Sequence, residues 1–166
     1  MYIETERMLF AKDLQVLYSV ETQLVLALPR VAMRVSSPTL RDAILHHLEQ
    51  TKTHAARLVE IASILGFACH GLQSAGMHGI LREGDEAMGY GGPEAIVDEA
   101  IIAACQKVEA YEISAYRAFM RLAHRVAAEH AQVGELLSKT LDEEEEANRS
   151  LSDIAIRAGH VEAHAA

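Results

Sequence analysis

The chain has 166 residues, half of them apolar, with no Trp, three Pro and a formal net charge of −9. That length supports one domain over 1–166 with a sizeable core, and the acidic balance leaves no electrostatic footprint for nucleic acid or an anionic membrane surface. No apolar stretch is expected to span a bilayer, and the acidic start at Glu4 and Glu6, with no apolar run after it, is not that of a secretory signal.

Ala, Leu and Glu dominate, which favours helices. From Glu4 the apolar positions Phe10, Leu14, Leu17, Leu24 and Leu28 keep helical spacing, and Glu21 falls on the same stripe. Pro29 lacks the N–H a helix interior needs, so a kink or break is expected there before the pattern ends near residue 34. Ser37-Pro38 reads as an N-cap with Pro at the first helical position. The second helix, over 38–65, then places Leu40, Ile44, His47, Thr51, His54, Leu58, Ile61 and Leu65 on one face, and Gly66 is its expected stop. Residues 67–92, within the crossover over 66–93, are broken by seven glycines, with room for one or two short turns between Gly71 and Met88. Such a segment suits a crossover between two helical hairpins, as bundles of the ferritin-like type require. A third helix over 94–127 carries the stripe Ile102, Cys105, Glu109, Glu112, Tyr116, Phe119 and Ala123. After a tight turn near Glu129, a fourth over 131–157 carries Val133, Leu137, Thr140, Glu144, Leu151 and Ile154, with Gly159 as its end and a frayed tail over 160–166. Cys69 and Cys105 are the two cysteines. They make no disulfide framework, so reduced thiols in the cytoplasm are expected.

Four glutamates thus share faces with residues that ought to be buried, and a buried unpaired carboxylate is costly. Their heights follow from the turns. At about 1.5 Å per residue, Glu21, roughly fifteen residues before the first turn, lies level with Gln50 and Thr51, roughly as far after it. Glu112 and Glu144 are likewise level across the second hairpin, and Glu109 is level with Asn148, to within about one helical turn. The physical reading is a dimetal carboxylate site, in which two hard cations offset the carboxylates and imidazoles complete the shell. The candidate ligands are Glu21, His47 or His54, Glu109, Glu112 and Glu144. Iron is the expected metal, at most two ions per chain, with manganese or zinc as substitutes. Buried hydrogen bonds to tyrosines, or pairing with arginines, are the alternative fates for these glutamates. Tyr18, Tyr111 and Tyr116 read as packing residues with satisfied hydroxyls, and within Glu143–Glu146 only Glu144 has core phase. Cys69, His70 and His78 match no closed zinc motif.

At these residues the chain resembles the YciF-like group of ferritin-like, stress-associated bacterial proteins. The resemblance covers nearly the whole length. It rests on Asp13-Leu14-x-x-Leu17-Tyr18-x-x-Glu21-x-Gln23-Leu24 and on Leu28-Pro29 in the first helix. It continues through Ser37-Pro38-x-Leu40, His47-Leu48-Glu49-Gln50-Thr51 and Val108-Glu109-x-Tyr111-Glu112-Ile113-x-x-Tyr116, and ends with Leu136-Leu137-x-x-Thr140-Leu141-x-Glu143-Glu144. It implies an all-α, rubrerythrin-like four-helix bundle with a dinuclear metal centre, often as a homodimer, and no particular reaction. The chain departs from the family pattern at Gln50, where Glu is usual, at Ala110, where His is usual, and at Asn148, where an acid is usual. Swapping carboxylate for amide weakens the attraction for a hard cation. Two functions follow. One is a metal-binding stress protein, acting by iron oxidation or peroxide removal, with oxygen or peroxide as partner and, if an enzyme, an oxidoreductase. The other is a metal-poor structural or interaction bundle whose site has degenerated.

Overall fold

The computed structural model describes residues 2–165, with side chains through Arg157. Among these residues every regular element is helical: α1 Glu6–Arg34, α2 Pro38–Leu65, α3 Ala75–Met88, α4 Glu94–Val126 and α5 Ala131–Ala165. Local chemistry sets the ends. Ser37 accepts from the Leu40 N–H with Pro38 in the first turn, and Gly66 turns left-handed at φ 69° to close α2. Arg41 reaches back to the Ala32 and Val35 carbonyls, which the end of α1 leaves unpaired within its own helix.

Four expectations are corrected. Helix α1 runs through Pro29 without a break. Buried Ala27 and Leu28 before the proline and Ala32 after it pack into one core, and that burial outweighs the ~3 kcal/mol a helical proline costs. The crossover is not a pair of short turns but holds one 14-residue helix, α3. Its interior glycines each cost up to about 1 kcal/mol, but Ser74 caps it and Met77 is fully buried. Gly76 is needed there, because a Cβ would stand 3.0 Å from the Tyr111 ring. Helix α5 continues past Gly159 to Ala165, since a glycine ends a helix only when it takes up another conformation. The expected frayed tail falls on side chains beyond those described. Finally, α1 is the one described helix long and apolar enough to cross a membrane by length and composition. Its apolar side is the wall of the core, and Glu21 in its middle is fully buried.

Helix α1 packs against α2 and α4, and α5 against the same two, so the four long helices close a ring; α3 lies over α1 and α4. The core has two apolar layers. One gathers Phe10, Leu14, Leu58, Ile61, Phe119 and Leu137, with Phe10 and Phe119 stacked at 4.3 Å. The other gathers Leu24, Leu28, Leu40, Ile44, Ile101 and Leu151. Between them lies a polar band from mid-helix positions: Glu21, Thr51, His54, Glu109, Glu112 and Glu144, all 2% exposed or less. Buried Asp98 of α4 fixes the α1–α2 turn by accepting from the Ser36 and Ser37 N–H groups and the Ser36 hydroxyl. Asp98→Ala is expected to destabilise the fold by about 3 kcal/mol, because it leaves charge-assisted donors without their acceptor. Chemical denaturation of the variant checks this.

Candidate metal centre

Each of the four long helices delivers a carboxylate or imidazole to the polar band because each has one turn of its apolar stripe replaced by polar residues. Two groups of ligand atoms result, each within 4.8 Å of one another. The first is His47, Glu109, Glu112 and Glu144; the second is Glu21, His54 and Glu144. Glu144 belongs to both. All six residues named from the sequence are therefore brought together, and all are buried.

The groups differ in how they are held. In the second, His54 Nε2 lies 2.8 Å from Glu143 Oε2, and Arg57 grips the same Glu143 carboxylate with both Nη atoms, at 2.5 and 3.0 Å. Arg57 Nη1 also donates to Thr140 Oγ1 at 3.0 Å. Donation from Nε2 to Glu143 turns Nδ1 toward Glu144 Oε1, 2.9 Å away, and Glu21 Oε2, 3.7 Å away. A carboxylate on the far nitrogen is the usual way a protein orients a metal-ligating histidine. Glu21 is held in turn by the Tyr116 hydroxyl, which donates to Oε1 and leaves Oε2 on the interior side. In the first group, His47 Nε2 is 3.3 Å from Glu109 Oε1 and 3.8 Å from Glu144 Oε2, and neither ring nitrogen has a hydrogen bond among the described residues.

The electrostatics record a surplus of buried negative charge. Burial, followed by the nearby Glu144 charge, raises the Glu109 and Glu112 carboxyls well above their usual range. Burial also raises Glu21, against the pull of His54. For His54 burial works downward, but contact with Glu144 and Glu21 outweighs it and lifts the imidazole to about 10. Burial leaves His47 lowered, hence neutral with a nitrogen lone pair to offer. Glu112 is the sharpest case: both carboxylate oxygens are buried with no hydrogen bond among the described residues, whereas Glu144 Oε1 has the His54 ring at 2.9 Å. Burying such atoms without partners is expensive. Cations offset the cost directly, and four carboxylates formally balance two divalent ions.

Two residues escaped the sequence reading. Glu143 is not part of a solvated face; its side chain is 21% exposed and bound to Arg57 and His54, with Arg57 and His54 holding it below its ordinary value against burial. Arg57 lies one position beside the α2 stripe, and its partner is across the α2–α5 seam, which loop counting within one hairpin does not reach. Tyr116 packs at the core as expected, and Tyr111 satisfies its hydroxyl with Ser74 Oγ at 3.0 Å. Gln50 and Asn148 are half-buried, and neither group relies on them to reach three or four donors. Arg57→Ala is expected to weaken metal binding about tenfold to a hundredfold by releasing the carboxylate that orients His54. A chelator-competition titration reads this.

Comparison with known proteins bears on the family and the overall fold. Protein YciF of Escherichia coli K12 is 33% identical over 140 residues, spanning 84% of this chain and 83% of that protein. The crystal structure of the E. coli stress protein YciF superposes with a TM-score of 0.91 at 30% identity, over 95% of this chain and 99% of that one. YcfI from Rhodopseudomonas palustris superposes with a TM-score of 0.85 at 30% identity, over 90% and 94%. Residues 5–165 match the family described as a domain of unknown function (DUF892). The chain belongs to that family, the one that includes the stress protein YciF.

Proposed function

We propose that the chain is a ferritin-like four-helix bundle carrying a dinuclear carboxylate metal centre, with iron as its metal, serving a stress response. The observation that carries this is the pair of buried carboxylate oxygens on Glu112 that no protein group satisfies among the described residues. His47, Glu109 and Glu112 would hold one ion, Glu21 and His54 the other, and Glu144 would bridge them. Bound iron would supply electrons to oxygen or peroxide. The chain's own contribution is to fix the donors on rigid helices. Arg57 and Glu143 set the His54 ring, Tyr116 sets Glu21, and the two apolar layers keep water from the band.

The testing experiment is elemental analysis of protein purified without chelator, beside a sample stripped and reloaded with ferrous iron. Two irons per chain would support the dinuclear reading. One per chain would restrict it to a single occupied group. None after reloading would refute it, and the metal-poor interaction bundle would take its place.

A further inference from the structure

Protein interiors are close-packed, and voids larger than a water are few. This chain has a cavity of about 140 Å³ inside the second apolar layer, where all five helices contribute to the wall. Leu24, Leu28, Ile44, Ile101, Val108 and Leu151 supply apolar, buried surface. Exposed His46, Asp85, Glu146 and Ser150 rim the solvent end. At the buried end the wall changes character to His47 and Glu109, two members of the first ligand group. His47 has no orienting hydrogen bond, in contrast to His54, so the less constrained side of the centre faces this space.

A sealed apolar cavity of about this volume takes up a molecule the size of benzene, and the inner, apolar part of this one offers comparable room while its rim opens to solvent. A concave space lined mainly by hydrophobes, with polar groups at its ends, is also the common form of a small-molecule site. We propose that this cavity binds a small apolar organic molecule, about one benzene ring or a short alkyl chain in bulk, with one end against His47 and Glu109. This assigns a substrate class to the dinuclear centre and rests on that reading. Water is a poor occupant because most of the wall offers it no hydrogen bond. The chain's own side chains leave the space unfilled, although Ala43 and Ala104 in its wall have room for larger residues. Small residues there keep it open.

The test is calorimetric titration of toluene into the full-length protein, metal-free and iron-loaded, with bound metal measured on the same samples. Saturable binding at one site is expected in both. Ala104→Phe and Ala43→Phe, each projecting a ring into the cavity, should each weaken toluene by about tenfold or more while metal per chain stays unchanged. Having two variants guards against one that fails to fold, which circular dichroism identifies. No saturable binding to folded wild type overturns the proposal, as does binding that neither folded variant alters. Binding that vanishes as protein concentration rises would mean that a second copy closes the mouth, and also overturns it. Toluene bound where no metal loads would uphold the cavity as a site while refuting the dinuclear centre, so the two failures are separable.

Discussion

Glu144→Ala is expected to empty the second ligand group and to weaken the first at once. Its Oε1 faces His54 Nδ1 at 2.9 Å, and its Oε2 faces His47 Nε2 at 3.8 Å, so it is the one residue in both ligand groups. Without it the first group keeps His47, Glu109 and Glu112, and the second is reduced to Glu21 and His54. Two donors do not hold a hard cation against water. The second ion should be lost, and the first held at least about tenfold more weakly, because removing even an orienting partner costs ten- to a hundredfold. Glu112→Ala should behave differently, weakening the first ion and sparing the second, since Glu112 serves only the first group.

The measurement is metal-induced stabilisation. Metal at about a hundred times its dissociation constant stabilises a folded protein by ~2.7 kcal/mol. Wild type should show that gain in a thermal melt, and Glu144→Ala a clearly smaller one. A variant that loads and gains like wild type would mean that Glu144 is a buried structural acid, and the dinuclear reading would fall with it.

How much of this was legible beforehand depended on the kind of contact. Stripes were readable because one helix face has to be apolar, so a glutamate in phase with Leu17 and Leu24, or with Phe119, stands out. Heights were readable within a hairpin, where rise per residue and the turn position suffice, which is why Glu112 and Glu144 were paired correctly. Contacts between hairpins were not. The Arg57–Glu143 pair that orients His54 crosses from α2 to α5, and its geometry depends on how the two hairpins rotate against each other. Sequence therefore singled out both histidines but not what distinguishes them. Helix α3 was missed for another reason. Its glycines argue locally against a helix, and only burial of Met77 and the close pass of Gly76 beside Tyr111 show why they are tolerated. The cavity was invisible, since it is a shortfall of side-chain volume summed over five helices.

Above pH 6.5 metal-free protein should lose stability as pH rises, while metal-loaded protein stays level. In the metal-free fold His54 is raised from 6.5 to about 10, so the folded state keeps a proton the unfolded chain releases. That contribution to stability is complete below 6.5 and is lost as pH rises through 10. Glu109 and Glu112, raised well above 4.5, act in the same sense: their stabilising protons are fully held below 4.5 and are given up as pH climbs through the raised values. His47 has the opposite sign, because its lowered value removes stability only as pH falls below 6.5, outside this window. The metal-free protein should therefore lose stability steadily from neutrality upward. Metal ligation needs those same protons removed, so metal affinity climbs with pH and its stabilisation grows. The expected result is a gap between melting temperatures of manganese-loaded and metal-free protein that widens from pH 6.5 upward. His54→Asn should flatten much of the metal-free slope. Parallel melting curves across the window would mean that metal displaces no protons from this cluster and binds elsewhere.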